Sequence, residues 1–168
     1  RTVHISDNYL INADFGEERA RAVAGLLVQP VIQDFLINRP YRPDNFDVAL
    51  EIGFLPGVTD NVAHTVRESI EDLLQTGLDI EKSAFSTITY FIAGDRDLSP
   101  EDIASIGAEL HNPLIQRCKA LSSREYDRAP GMGHDIPVVS IHERPEADEV
   151  NLDVPPDELM LIAKEGVP

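Results

Sequence analysis

Phe46, Val48, Leu50, Ile52 and Phe54 alternate with Asp47, Ala49, Glu51 and Gly53. That period predicts a strand with one buried face, ended by Pro56-Gly57. The spacing then becomes helical: Val62, Val66, Ile70, Leu73 and Leu74 form one stripe, with Arg67, Glu68, Glu71 and Asp72 on the other side. Thr59 or Asp60 is placed to cap this helix and Gly77 to close it. Lys82 to Ala93 reads as one or two strands. Ser99-Pro100-Glu101-Asp102 opens a second helix with a cap hydroxyl, a first-turn Pro and acids at the positive end. Ile103, Ile106 and Leu110 form its inner face. Pro113 stops it, and Leu114 to Leu121 reads as a last strand.

The N-terminal residues follow a shorter version of this plan. Thr2 to Asn12 is rich in β-branched and aromatic residues, and Asp7-Asn8 is a turn signal, so the segment reads as a hairpin. Asp14 and Glu17 have capping-box spacing ahead of a helical face of Ala20, Val23, Ala24 and Leu27. Pro30 ends that helix, and Val31 to Asn38 reads as a strand. Gly25-Leu26-Leu27-Val28-Gln29-Pro30-Val31-Ile32-Gln33 returns as Ala108-Glu109-Leu110-His111-Asn112-Pro113-Leu114-Ile115-Gln116, and Tyr9-Leu10-Ile11 returns as Tyr90-Phe91-Ile92. This recurrence predicts one supersecondary unit used twice. The first copy lacks the leading strand and helix of the second, so the expectation is a piece of a longer polypeptide. The predicted class is α+β: a sheet with two helices on one face in each full unit. Residues 1–38 are a partial first repeat, 39–45 a stiff linker, 46–121 a full second repeat, and 122–168 an extended acidic linker.

Composition narrows the functions. The chain has 168 residues, 42% of them hydrophobic, enough for a core. A net charge of −16 opposes nucleic acid and anionic membrane as partners. No apolar run approaches the roughly 20 residues of a membrane span. The single Cys118 rules out an intramolecular disulfide framework and fits a reducing, cytoplasmic setting. From Ser122 onward eleven acids stand against four bases, with many Pro and Gly. Pro155-Pro156-Asp157-Glu158 followed by Leu159, Leu161 and Ile162 predicts a short helix there.

Candidate chemistry is sparse. Gly131-Met132-Gly133-His134-Asp135 resembles a phosphate-approaching glycine loop, but lacks the strand before and the helix after that such loops need; it reads as a flexible or docked linker. His134 and His142 lie near acids at a spacing that fits no common metal pattern, so no metal is assigned. His64 reads as a partly buried helical residue and His111 as a helix-end cap. Cys118 reads as a small core residue, although Arg117 and Lys119 flank it. No nucleophile–base pair or pair of catalytic carboxylates can be assembled, so no catalytic or cofactor-binding residue is assigned. The candidate interface comprises Leu55, Pro56, Gly57, Thr59 and Asp60 in the strand-to-helix turn, with Gly131, Gly133 and His134 in the later loop.

The repeated residues also carry a family resemblance. Leu26-Leu27-Val28-Gln29-Pro30-Val31-Ile32-Gln33-Asp34-Phe35 resembles a Leu-Leu-x-Asn-Pro-Val-Ile segment of the small PurS subunit of phosphoribosylformylglycinamidine synthase, with Gln29 where the family has Asn. Val48 to Ile52 with Leu55 to Asp60 resembles that subunit's first strand and helix entry, and Ala84 to Leu121 its second half. Val150 to Val167 resembles the approach to the synthetase core in fused forms. The resemblance implies an ATP- and glutamine-dependent ligase of purine biosynthesis, in which this region is an assembly module. It further implies a pseudo-dimer within the chain, partnered by the synthetase and glutaminase regions. ATP and Mg are expected beyond Pro168, with no cofactor in this region. The alternative is a stand-alone, non-catalytic α+β module for regulation or small-ligand binding.

Overall fold

The computed structural model describes residues 2–75, 84–94, 98–128, 131–134, 136–137, 154–156 and 159–160. The chain divides into two compact units, Arg1–Val138 and Val139–Pro168. The first is α+β. Its elements are β1 (Thr2–Ile11), α1 (Gly16–Leu27), β2 (Val48–Phe54), α2 (Asn61–Leu74), β3 (Ala84–Ala93), α3 (Pro100–Leu110), β4 (Gln116–Ser122) and α4 (Ser123–Arg128). The four strands form one sheet in the order β1-β3-β2-β4, with every neighbouring pair antiparallel. In the second unit, the Leu159 N–H donates to the Pro155 C=O at 3.0 Å, a helical bond where the short helix was expected. Gly77, Asp135, His142 and most of 138–168 lie outside the described residues.

Register sorts the side chains into two faces. Val48, Leu50 and Ile52 share one face with Ile92, Tyr90 and Ile88 of β3 and with Ala120 and Cys118 of β4. Helices cover parts of this face. Gly107 of α3 lies against Cys118, where an added Cβ would meet the sulfur at 3.3 Å. Val23 of α1 packs with Val66 and Ile70 of α2, joined by Tyr9, Ile11, Phe15, Leu27 and Leu74.

The opposite face carries Ala49 and Phe91, packed with Phe46, Tyr126, Met132 and Leu121. Four T-shaped ring contacts knit it, from 5.2 Å between Phe46 and Phe91 to 5.5 Å between Tyr41 and Phe91. Such pairs each contribute about 0.5–1.5 kcal/mol beyond their buried area. β2 is therefore buried on both faces, not one.

Several local expectations are corrected. Thr2–Asn12 is not a hairpin: β1 runs unbroken through Asp7-Asn8. The Asn8 amide donates across the strands to Thr89 Oγ1 at 2.9 Å and Thr87 Oγ1 at 3.3 Å, so cross-strand bonds replace the turn it would otherwise favour. Asp14 and Glu17 form no capping box. Phe15 is the N-cap residue without a side-chain bond, Asp14 accepts from the Gly16 N–H, and Glu17 pairs with Arg21.

The buried stripe of α2 is Ala63, Val66 and Ile70, leaving Val62 and Leu73 exposed. The helix ends with Gln75 at a φ of 50°. α3 starts as expected, with a Ser99–Asp102 capping box and Pro100 in the first turn.

Val31–Asn38 is not a strand. The Ile32 and Gln33 N–H groups donate to the Gln29 C=O at 3.1 and 2.9 Å, and the Gln29 N–H donates to Gln33 Oε1 at 2.8 Å. The same turn follows α3. Ile115 and Gln116 N–H donate to the Asn112 C=O at 3.1 and 2.8 Å, and Asn112 N–H donates to Gln116 Oε1 at 2.9 Å. After the second turn β4 pairs with β2, whereas no described strand lies beside 34–38. A strand needs a partner for its backbone groups, and among the described residues only the second copy has one. β4 itself starts two residues later than expected, because Leu114 belongs to the turn.

The linker expected from Ser122 does not begin there. α4 follows β4 directly, anchored by the Ser123 N–H donating to the Asp47 C=O. Ser122 N–H and Oγ–H both bond Glu125, which holds its carboxyl below the usual range. Arg42 grips Asp127 through two bonds of 2.7 and 3.0 Å and lowers that carboxyl likewise. Residues 39–45 are irregular as expected, yet pinned, since Tyr126 donates to the Tyr41 C=O at 2.6 Å.

The Tyr126 phenol is pushed up to about 12 from 10.0, chiefly by burial and then by the Glu51 carboxylate. Its folded value exceeds the unfolded one, so its stabilising contribution is whole below the unfolded value and is lost as pH rises through the folded one. We predict that Tyr126→Phe costs about 1 kcal/mol at neutral pH, one neutral hydrogen bond. The deficit should close and then reverse as pH rises from 10.0 to about 12, because the wild type alone loses stability there. Urea unfolding across that range measures both effects.

Candidate functional site

Outside the aromatic cluster and the Leu10–Phe85 pair, the α4-side face of the sheet is polar. Alternation along four strands places Ser6 and Asn8, Thr87 and Thr89, Glu51, and Arg117 and Lys119 on it. Glu51 is only 8% exposed. Its carboxylate accepts from Arg117 Nη1 at 3.3 Å and from Thr87 Oγ1 at 3.2 Å. Thr87 and Thr89 both accept from Asn8, which accepts from Ser6 Oγ at 2.9 Å. Gly53 makes room for this convergence. A Cβ there would stand 2.8 Å from Thr87 Cγ2 and 3.5 Å from Arg117 Nη2. Lys119 Nζ donates to the Met132 C=O at 2.6 Å, tying the glycine loop to the sheet. These residues line an open concavity of about 1850 Å³ that extends past the strand ends to the turn after β2.

The expected interface residues divide by role. The Leu55 N–H donates to the Ile115 C=O at 2.9 Å and the Leu55 C=O accepts from Val58 at 3.1 Å, so Leu55 builds the turn. Gly57 sits at a φ of 84°, a conformation that favours glycine. Asp60 caps α2 by accepting from Ala63 N–H, and it also accepts from the Ser86 N–H and hydroxyl at 2.8–2.9 Å. It joins the helix start to β3 and is structural. Pro56, Gly57 and Thr59 face solvent.

In the later loop Gly131 is buried at a φ of 88°, and a Cβ on it would stand 2.9 Å from Pro40 Cβ. Gly133 and His134 are exposed. Both segments line the same concavity at different ends of β2. The turn follows Phe54, while Met132 packs over Ala49.

Other candidates settle simply. His64 is exposed rather than partly buried, and meets Glu68 at 3.3 Å and Arg67 at 3.0 Å. The His111 ring bonds the Gly107 C=O, the helix-end role expected of it. Cys118 points to the helix side, away from Arg117 and Lys119, and burial pushes its thiol up. Among the described residues no group of three or more His, Cys, Asp and Glu is placed to hold a metal, and no helix is long and apolar enough to cross a membrane.

Sequence patterning alone missed the polar network. Its signal was present: Glu51 sits on the polar side of an alternating strand, and Arg117 and Lys119 flank Cys118. What was missing was the register that sets them side by side.

The chain matches no protein-family model, no curated protein and no solved structure.

Glu51 is the acceptor that both Arg117 and Thr87 use. Glu51→Ala should lower stability by about 2 kcal/mol, less than for a fully buried pair because Arg117 is 32% exposed. Arg117→Met in the Glu51→Ala background should cost much less than Arg117→Met alone. A double-mutant cycle by urea unfolding would then give a coupling of about 1 kcal/mol; strictly additive losses would show that the pair is not coupled.

Proposed function

We propose that this chain is a non-catalytic assembly module of phosphoribosylformylglycinamidine synthase, a duplicated PurS-like unit with an incomplete first copy. The observation that carries the reading is the repeated turn. Gln29–Gln33 and Asn112–Gln116 make the same three hydrogen bonds, each after a strand and a helix. The strands that lead into the two copies, β1 and β3, lie side by side and antiparallel. Two like units about a twofold axis would set their equivalent strands in this way. In the register that sets Tyr9 on Tyr90, the axis passes at the facing pair Asp7 and Ile88. The PurS resemblance of the same residues supplies the family.

On this reading the module's contribution is positional. It holds the ammonia-producing and ammonia-using regions in register, in the cytoplasm. ATP, Mg and glutamine act on regions outside residues 1–168. The solvent-facing residues Pro56, Gly57 and Thr59, with Gly133 and His134, are the contacts offered to those regions. The buried Gly131 and the capping Asp60 hold the two segments in shape.

The test is made on the full-length natural polypeptide with whatever subunits accompany it. It should convert formylglycinamide ribonucleotide, ATP and glutamine to the amidine, ADP, phosphate and glutamate. Gly57→Val or His134→Ala should lower glutamine-dependent turnover by about 10- to 100-fold, the scale of a misplacement near 1 Å, and spare turnover with free ammonia. Equal loss with both nitrogen sources would mean that these segments serve folding or the synthetase site. Absence of the activity would sink the reading. One observation then favours a small-ligand module instead: the concavity that has Glu51, Arg117 and Lys119 as a polar part of its lining.

A further inference from the structure

Two arginine–carboxylate pairs in this chain are saturated to different degrees. Arg42 gives Nε and Nη2 to Asp127 at 2.7 and 3.0 Å and Nη1 to the Pro43 C=O at 2.9 Å. Arg117 gives only Nη1, to Glu51 Oε1, at 3.3 Å. A strong charge-assisted bond of this kind is shorter, about 2.7–2.9 Å. A guanidinium carries five N–H donors, and among the described residues the others on Arg117 have no acceptor. Lys119 is in the same position. One of its ammonium donors reaches the Met132 C=O at 2.6 Å, and among the described residues no other acceptor meets it.

The groups around these two cations bond one another. Thr87 donates to Glu51, Asn8 donates to both Thr87 and Thr89, and Asn8 accepts from Ser6. Register sets Arg117 beside Gly53 and Lys119 beside Glu51. Two residues apart on one face, Arg117 and Lys119 stand roughly 7 Å from each other along β4, close enough for one anion to meet both. Gly53 keeps the floor between them low: Arg117 Nη2 lies 3.5 Å from where its Cβ would be. Accessibility favours the cation over the acid, since the Arg117 side chain is 32% exposed and that of Glu51 10%. Part of the lining of the concavity therefore holds two cations against one recessed carboxylate, with donors in excess.

We infer that Arg117 and Lys119 form a binding site for the carboxylate of a small soluble molecule. Excess donors select an acceptor, and excess positive charge selects an anion. A monoanion cancels the local surplus of one charge, whereas a polyanion would meet the field of a chain of net charge −16. A planar carboxylate matches the guanidinium fork and can share an oxygen with the ammonium. Glu51 is then the group that holds Arg117 in place when the site is empty, and it competes with the ligand for the same guanidinium. The inference rests on this local accounting and holds for an assembly module as for a stand-alone one, so an assay that finds no ligase leaves it standing.

The test titrates acetate into the chain while the side-chain NMR signals of Arg117, Lys119 and Arg42 are followed. Acetate should shift Arg117 and Lys119 saturably, with a Kd of about 1–10 mM, the scale open to so small a ligand. Arg42, already spent on Asp127, should not move. Arg117→Lys, which keeps the charge and loses the fork, should weaken binding about 10-fold, as should Lys119→Met. Glu51→Gln should tighten it about 10-fold, because the amide keeps the shape and removes the competing charge. That isosteric change carries the test if the other two variants do not fold. Shifts that never saturate, or that appear equally at Arg42, would overturn the proposal, as would an affinity unchanged by Glu51→Gln. Inorganic phosphate and a short peptide with a free C-terminal carboxylate complete the set. Tighter binding of phosphate than of acetate would overturn the carboxylate assignment. A peptide bound about 100-fold more tightly than acetate would overturn the small-molecule assignment in favour of a protein segment.

Discussion

Burial of β2 on both faces is the constraint on which the first unit depends. A strand inside a four-stranded sheet satisfies its backbone through β3 and β4, but each face still needs a cover. The helix-side cover comes from ordinary crossover geometry, with α3 linking the parallel strands β3 and β4 across β2. Among the described residues the other cover has no helix long enough to do the same. It is assembled from irregular pieces: Tyr41 and Phe46 ahead of β2, Tyr126 on a six-residue helix, and Met132 between two glycines. Edge-to-face rings let residues so far apart in sequence pack closely without a regular element beneath them.

That irregular cover reaches only part of the face, and the remainder is polar. Glu51 could not stay buried and charged in an apolar layer; it is tolerated because Arg117 and Thr87 supply donors and Gly53 leaves them space. Lys119 then extends the network to the Met132 carbonyl, so a conformationally special glycine loop is fixed to the sheet by a charged hydrogen bond. The polar floor and the aromatic cover thus stabilise each other through one loop.

The repeated turn shows how a local motif and its context part company. Gln29–Gln33 and Asn112–Gln116 fold alike because the bonds that shape them are all internal to five residues. The segments after the two turns differ because a strand is not a local structure. Gln116 leads into β4 beside β2, while 34–38 remains irregular with no described strand at its side. Asp34 to Asn38 carries Phe35, Leu36 and the β-branched Ile37, whereas β4 holds no Val, Ile or Thr, so propensity alone favours the segment that is not a strand.

The sequence by itself determined the features set within one turn or one period. These are the α+β class, the alternation of β2, the Ser99–Asp102 capping box, a helix cap at Thr59 or Asp60, the tight turn at Gly57 and the recurrence of the Pro-containing motif. Each depends on residues a few positions apart, where dihedral preference and hydrogen-bond reach are legible from residue type. Tertiary structure alone decided that Thr2–Ile11 is one strand, that α2 turns Ala63 rather than Val62 inward, that α4 and Met132 cover the sheet, and that Glu51 meets Arg117. Those outcomes depend on strand register and on which face finds a partner. Both are set by contacts between segments tens of residues apart, and no local pattern of residues encodes them.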